Sequence, residues 1–116
     1  MMNLGMEHGI AVLHVSGLLA KSDYAEVLPQ LEHQIESQDK PRVMVVLDEF
    51  HGWTPSGLLE ELRFDVRHRE DLEKVAVVGE HALEEIGTKI TRAFFSGEVR
   101  YFDKQRRAEA ERWIQS

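Results

Sequence analysis

The sequence predicts an α/β domain with a mixed, mostly parallel sheet of about five strands flanked by four helices. Two runs, RVMVVLD at 42–48 and KVAVVGE at 74–80, are apolar at consecutive positions, as expected for strands covered on both faces of a parallel sheet. Segments with apolar residues at helical spacing lie between and after these runs. Strands and helices therefore alternate, as they do in α/β folds.

The chain begins with two predicted strands. An apolar run from Ile10 to Val15 lies between Gly9 and Gly17, and such a run bounded by turn residues is typical of a strand. The segment NLGME before it alternates weakly, and the following HG can form a hairpin turn. We therefore expect a short first strand antiparallel to the second.

Residues 23–37 form the clearest predicted helix. Asp23 or Ser22 is expected to cap its first turn. Pro29 lies inside the helical pattern and is expected to kink the helix. The apolar residues of this segment share one helical face: Tyr24, Val27, Leu28, Leu31 and Ile35.

Three further helices are predicted. The first begins near residue 56, the second spans 83–94, and the third begins at Asp103 after a short alternating strand, EVRYF at 98–102. The first is expected to bury an apolar face made of Leu58, Leu59, Leu62 and Val66. The last brings Ala110, Trp113 and Ile114 onto one side. No internal repeat or linker interrupts the pattern, so a single domain over 1–116 is expected.

Composition excludes several classes of function. The net charge is −7, which is a poor electrostatic match to a phosphate backbone, so no nucleic-acid partner is expected. The absence of cysteine excludes disulfides and thiolate chemistry and is compatible with a reducing cytoplasm. No apolar run approaches the roughly 20 residues that span a bilayer. We expect a cytoplasmic protein, with peripheral contact at the inner membrane face left open.

One segment, DEFHGWTPSG at 48–57, concentrates chemically active side chains directly after a predicted strand. Ligands of parallel α/β sheets bind beyond the carboxyl ends of the strands. The segment GEH at 79–81 follows a second strand end. The topology therefore groups five side chains on one rim of the sheet: Asp48, Glu49, His51, Glu80 and His81.

Local structure explains part of this segment without any ligand. Thr54 followed by Pro55 is a natural helix start, with threonine as N-cap and proline at the first helical position. Trp53 before the cap can pack on Leu58 as a hydrophobic staple. On this interpretation the segment only connects a strand to a helix.

Metal binding and catalysis are weaker interpretations. A metal site would require side chains from the set Asp48, His51, Glu80 and His81 to meet around one ion. The sequence contains no HExxH motif or paired histidine spacing. Ser56 with His51 and Asp48 has the residue types of a hydrolytic triad, but GWTPSGL is not a GxSxG elbow. We therefore expect no metal, no cofactor and no enzymatic activity.

Phosphorylation at Ser56 is better motivated. This serine lies in the predicted first helical turn, where unpaired backbone N–H groups and the helix dipole favour an anion. A phosphate there would add charge beside Asp48 and Glu49 and would act as an electrostatic switch. An ordinary exposed serine in the first turn is the preferred interpretation of this residue.

Three segments carry a family resemblance: VVLDEFHGWTPSGLLEEL, HREDLEKVAVVGEH and EVRYFDKQRRAEAERWI. In this order the chain resembles the SpoIIAA-like proteins, which are related to the STAS domains of anti-sigma-factor antagonists and sulfate-transporter tails. The resemblance implies a STAS-type sheet of four or five strands with helices, beginning with an antiparallel pair.

The resemblance also implies two kinds of function. In the anti-sigma-factor antagonists a strand ends in Asp-Ser-Ser-Gly, and a partner kinase phosphorylates the second serine. Ser56 and Gly57 match the last two positions, whereas Thr54 and Pro55 replace the Asp-Ser. The group is similar in fold to small lipid-carrier domains, which implies a ligand cleft or membrane contact.

Apolar residues in unexpected places support the second implication. Phe64 lies about 200° around the helix from Leu62, and Phe95 lies about 100° from the face of Phe94. With Trp53 these aromatics could form an exposed patch, which usually marks a ligand, membrane or protein surface.

The leading expectation is a non-catalytic module that binds a small apolar or lipid-like ligand, or a membrane surface, through Trp53, Phe64 and Phe95. A homodimer is expected as well. The alternative is a regulator that binds a protein partner, as anti-sigma-factor antagonists do, and is switched at Ser56.

Overall fold

The apolar runs of the sequence form one five-stranded sheet in the computed structural model, which describes residues 1–80, 88–89 and 96–116. The strands are β1 (Met2–Glu7), β2 (Ile10–Leu19), β3 (Arg42–Trp53), β4 (Lys74–Gly79) and β5 (Glu98–Asp103), and they lie side by side in that order. β1 is antiparallel to β2, and all other neighbours are parallel. The predicted antiparallel first pair and the mostly parallel sheet are confirmed.

Three α-helices lie within the described part of the chain: α1 (Lys21–Ser37), α2 (Pro55–Arg67) and α3 (Arg107–Gln115). A 3₁₀ turn over Lys104–Arg106 precedes α3. Four helices were predicted, whereas three α-helices lie within the described residues. The predicted helix over 83–94 lies outside the described residues, except that Thr88 and Lys89 are helical.

Helices cover both faces of the sheet, as the apolar runs predicted. Because successive side chains of a strand point to opposite faces, each central strand contributes to two cores. One core packs the sheet against α1 and α2 and includes Leu13, Val43 and Val77. The other packs it against α3 and includes Val12, Met44 and Val78.

The first helix begins earlier than predicted. Its N-cap is Ala20, and Asp23 is the third helical residue, with a carboxylate that accepts a hydrogen bond of 2.8 Å from the Ala20 N–H. Neither Ser22 nor Asp23 is therefore the cap residue, although Asp23 satisfies a backbone donor of the helix start. Pro29 lies inside a helix that continues to Ser37.

The strand predicted to end at Asp48 continues to Trp53. β3 pairs Phe50 with Gly17 and Trp53 with Leu19, and the register shifts on either side of Gly17. Between Leu47 and Phe50 the strand inserts an extra residue relative to β2, as a β-bulge does. A bulge lets a strand continue while its side chains are redirected, so the expected loop is extended strand instead.

The start of α2 is fixed against the end of β2. The Thr54 hydroxyl accepts a hydrogen bond of 3.0 Å from the Gly57 N–H, and Pro55 occupies the first turn, so the predicted helix start is confirmed. The Thr54 N–H donates to the Leu19 carbonyl oxygen at 2.8 Å. A Cβ atom on Gly57 would lie only 2.3 Å from that same oxygen.

The buried face of α2 is the opposite of the predicted one. Leu59 and Val66 are 47% and 52% exposed, whereas Phe64 is only 7% exposed. Gly57 lies against the backbone of β2. Four later residues of α2 lie on the same side of the helix, at about 40°, −20°, 80° and 20° from Gly57 around the helix axis, so they also face inward. These residues are Glu61, Phe64, Asp65 and His68; Phe64, Asp65 and His68 are buried and Glu61 is half-buried.

The Gly57 contact yields a stability prediction. Gly57→Ala should lower the free energy of unfolding by about 3 kcal/mol, because the added methyl group overlaps a backbone oxygen that cannot rotate away. Gly5→Ala is the matched control, since nothing lies within 4 Å of a Cβ at Gly5, and its effect should stay within about 0.5 kcal/mol. Urea denaturation measures both. Equal stability of the two variants would contradict the contact.

Candidate functional site

The predicted strand-end rim is organised around a lysine. Asp48, Glu49 and Glu80 are exposed, and the Lys104 Nζ lies 3.1 Å from the Asp48 Oδ1. The hydrogen bond to Asp48, with further contributions from the charges of Asp48, Glu80 and Glu49, raises the pKa of Lys104. These carboxylates therefore stabilise the charged ammonium group of Lys104 at the surface.

Of the two histidines predicted on the rim, His51 lies within the described residues. His51 is exposed, and His81 lies outside the described residues. Over 1–80, 88–89 and 96–116, no three His, Asp or Glu side chains are grouped closely enough to hold a metal ion. Among the hydrogen bonds of these residues, none joins His51 to Asp48 or Ser56. Ser56 itself is exposed in the first turn of α2, with its Oγ 3.4 Å from the Thr54 Oγ1.

A second set of polar side chains lies inside the protein, where α1, β3 and α2 meet. The Trp53 Nε1–H, at the end of β3, donates to the Tyr24 Oη at 2.9 Å. The carboxyl groups of Glu61 and, one turn further along α2, Asp65 lie close enough to Tyr24 to raise the pKa of its hydroxyl. Tyr24 and Asp65 are 2% and 1% exposed. We refer to Tyr24, Trp53, Glu61 and Asp65 as the buried polar cluster.

Burial controls the protonation of this cluster. Desolvation raises the pKa of Glu61 above 4.5, and hydrogen bonds from Tyr24 and Asp65 oppose that rise only in part. Desolvation, with the charge of Glu61, also raises the pKa of Tyr24, so the phenol keeps its proton. Burial therefore favours the neutral form of both the Glu61 carboxyl and the Tyr24 phenol.

The buried polar cluster lies at one side of an apolar cavity of about 100 Å³. Strands β1 to β4 form its floor, and α1 and α2 form its roof. Trp53 and Phe64 line it, as does Thr88. Among the described residues, the rest of its lining is mainly aliphatic and includes Leu13, Val15, Leu28, Val45, Leu47 and Val77. The described lining is thus apolar with one hydrogen-bonding side.

Two of the three aromatics predicted to form an exposed patch therefore face the interior. Phe64 belongs to the core, and Trp53 packs edge-to-face on Phe50 with ring centroids 4.9 Å apart. Phe95 lies outside the described residues. The exposed-patch prediction for Phe64 is wrong because the rotation of α2 is set by Gly57.

Sequence reasoning missed the acidic members of the cluster. Neither Glu61 nor Asp65 was predicted as a site residue from the sequence. The signal that could have found them is the spacing of Gly57, Glu61, Phe64 and Asp65, which places a glycine and an aromatic residue on the same face as two carboxyls.

His68 continues this buried face and was likewise missed. Its Nδ1 lies 2.8 Å from the Asp71 Oδ2, and its Nε2 lies 2.8 Å from the Glu32 Oε2. The contact with Glu32 ties the end of α2 to α1. The Phe64 ring packs on the imidazole with centroids 4.6 Å apart, so this contact also supports a wall of the cavity.

Removal of the central hydroxyl tests the cluster. Tyr24→Phe should lower the free energy of unfolding by about 1 kcal/mol, because the half-buried Trp53 N–H loses its acceptor. A double-mutant cycle with Trp53→Phe should give a coupling energy above about 0.5 kcal/mol. The cycle with Trp113→Phe is the control, since Trp113 packs on the opposite face of the sheet. Equal coupling in both cycles would refute the network.

Stability should also depend on pH through Glu61. Because its folded pKa lies above 4.5, the folded state binds the proton more tightly than the unfolded chain. The resulting stabilisation is complete below about pH 4.5 and is lost as the pH rises through the raised pKa. Glu61→Gln should flatten this decline and stabilise the protein at pH 7. Glu60→Gln, at a residue whose partner is Arg63, should leave the slope unchanged in urea titrations from pH 4 to 8. A wild-type slope in Glu61→Gln would contradict the assignment.

Within the described residues, no helix is long and apolar enough to cross a membrane.

Comparison with known proteins agrees with this architecture. A solved structure of an uncharacterised protein of the DUF3478 family with a SpoIIAA-like fold, from Shewanella loihica PV-4, matches with a TM-score of 0.79 and 20% identity, over 98% of this chain and 92% of that chain. At this identity the likeness shows the fold. No curated protein matches the chain. The SpoIIAA-like family model matches residues 10–115, and the chain belongs to the SpoIIAA-like family.

Proposed function

We propose that this protein is a non-catalytic module that binds a small apolar ligand in the cavity between its sheet and helices α1 and α2. The observation that carries the proposal is the cavity itself, about 100 Å³ with aliphatic walls and one hydrogen-bonding side. Ligand sites are typically apolar concavities with a few polar groups that fix orientation, and this cavity has that composition.

An empty cavity of this volume is unfavourable. Protein interiors are packed as densely as organic crystals. At about 24 cal/mol per Å³ of void, a cavity of about 100 Å³ costs on the order of 2 kcal/mol. A ligand that fills it would recover part of that free energy, which supports a binding role for the space.

Cavity volume limits the ligand. In another protein, an engineered apolar cavity of ~150 Å³ binds benzene, so about 100 Å³ accommodates roughly four or five non-hydrogen atoms. This favours a small molecule, or the end of an acyl chain, over a whole lipid. A ligand of that size binds with a Kd on the order of millimolar.

The interior positions of Trp53 and Phe64 favour ligand contact over contact with a membrane surface. Both rings line the cavity, and Phe64 has almost no exposed surface to offer a bilayer. Trp53 would contact the ligand directly, so its fluorescence would report binding.

A second function, binding of a protein partner, is favoured by the outward side of α2. Leu58, Leu59, Leu62 and Val66 form what we call the outer α2 face, on which Leu59 and Val66 are about half exposed. Ser56 is exposed one turn before it. A regulator switched at Ser56, or a homodimer, would use this face. The intact mass of protein purified from cells reports both a phosphate and a dimer.

A pair of adjacent core variants tests the proposed function. Val45 lines the cavity, whereas Val46 packs on the opposite face of β3. Val45→Leu should place one more methylene group inside the cavity. Because a methylene group is worth about 0.8 kcal/mol, the variant should bind a four-carbon ligand about fourfold more weakly. Its free energy of unfolding should be unchanged or higher. Val46→Leu should lower stability by about 1 kcal/mol through overpacking and leave binding unchanged.

Binding can be followed by Trp53 fluorescence in a Trp113→Phe background, which leaves one of the two tryptophans. Native mass spectrometry of freshly purified protein would identify a ligand that remains bound. If Val46→Leu weakens binding as much as Val45→Leu, or if no small apolar molecule binds, the proposal fails.

A further inference from the structure

We propose that two copies of this chain pair through the open edge of β1, as antiparallel strands around a two-fold axis, and form one continuous sheet. The outer α2 face is the other surface available to a homodimer, but the edge of β1 has more specific features. They are its outward backbone groups, its lack of charge, the groove beside it and an apolar pattern that matches itself. This inference does not depend on the cavity or its ligand.

Every second residue of β1 has backbone groups that point away from the sheet. In an antiparallel pair, residues that exchange hydrogen bonds with the neighbouring strand alternate with residues that do not. Met1 exchanges both bonds with Ser16, since its nitrogen donates at 2.7 Å and its carbonyl oxygen accepts at 2.9 Å. The register between β1 and β2 is regular. The outer edge therefore receives the backbone N–H and C=O groups of Met2, Leu4 and Met6.

This edge lacks the features that usually prevent strand pairing. Within the described residues, β2 is the only strand that pairs with β1. Natural sheets protect open edges with charged side chains, prolines or bulges, because unpaired backbone groups bind other strands. β5, at the opposite edge, carries three charged residues among six: Glu98, Arg100 and Asp103. β1 has no proline and no register shift, and its one charged residue, Glu7, is its last.

A groove of about 460 Å³ runs beside this edge, between β1 and α1. Leu4 and Met6 line it on the strand side, and Met6 is 47% exposed. Its helix side consists of Pro29, Gln30, His33 and Gln34. A strand that adds to an open edge places alternate side chains in such a groove. The groove therefore has room for side chains of a strand paired with β1.

Charge favours this edge as the place where two copies meet. The chain has a net charge of −7, and 30% of its residues are charged, so two copies repel each other in general. Residues 2–6 and the described groove lining include no Asp, Glu, Lys or Arg. Two copies can therefore approach along this strip without bringing like charges into contact.

The apolar pattern of β1 matches itself. A two-fold axis at Leu4 sets Leu4 opposite Leu4 of the second copy and Met2 opposite Met6. These three pairs would exchange about six backbone hydrogen bonds. Because the axis is perpendicular to the sheet, the apolar side chains of both strands lie on one face, between the two α1 helices. Methionine adapts to irregular spaces, and the contact is of the isologous kind that closes as a dimer.

Sedimentation velocity of the full chain at micromolar concentrations tests the pairing. Met6→Lys places a charge on the edge and should weaken dimerisation at least about tenfold. Met6→Pro removes an outward N–H and should also weaken it, while the fold is retained because an edge strand tolerates proline at such a position. Leu59→Lys is the matched control, since Leu59 on the outer α2 face is also 47% exposed, and it should leave the dimer intact.

Amide hydrogen exchange provides a readout that requires no variant. Exchange at the Leu4 and Met6 N–H groups should slow as the protein concentration rises, because only the dimer pairs these groups. The Gly5 N–H bonds to β2 in either state, so its exchange should not depend on concentration. This measurement decides the question if Met6→Pro fails to fold.

Each outcome separates this edge from other surfaces. A dimer that dissociates in Met6→Lys and persists in Leu59→Lys would support the proposal. A dimer that dissociates in Leu59→Lys and persists in Met6→Lys would overturn it in favour of the outer α2 face. A wild-type protein that stays monomeric at millimolar concentrations would also overturn it and would leave the edge to a strand of another protein. None of these results bears on ligand binding in the cavity.

Discussion

The contact between Gly57 and the carbonyl oxygen of Leu19 determines most of what is distinctive in this structure. That oxygen accepts a hydrogen bond from the Thr54 N–H at 2.8 Å, and it leaves room only for a glycine at the third residue of α2. A helix held at its first turn by a cap and a backbone contact has one available rotation about its axis. Everything further along α2 follows from that rotation.

The rotation turns carboxyl groups inward and leaves leucines outside. Burial disfavours the charged form of a carboxyl group, and it raises the pKa of Glu61 beside Tyr24. A core optimised only for stability would place Leu59 where Glu61 lies. Retention of a polar cluster beside a cavity of about 100 Å³ is consistent with a site kept for binding.

Residues 48–57, the segment of the sequence with the most chemically active side chains, have a mainly structural role. The bulged extension of β3 exposes Asp48, Glu49 and His51 and carries the chain on to Trp53, which reaches Tyr24. Asp48 pairs with Lys104 beside α3. The Asp48–Lys104 contact therefore links the chain after β5 to β3. Trp53, at the end of the same segment, lines the cavity.

The sequence by itself determined the strands, their mostly parallel order, the antiparallel first pair and the Thr54–Pro55 helix start, because these depend on local apolar runs and local hydrogen bonds. Only the tertiary structure decided which side of α2 is buried and where β3 ends. Hydrophobic periodicity assigns the apolar side of a helix inward, but the Gly57–Leu19 approach joins residues far apart in the chain and overrides it. For the same reason Glu61 and Asp65 could be recognised as neighbours of Tyr24 and Trp53 only after the chain had folded.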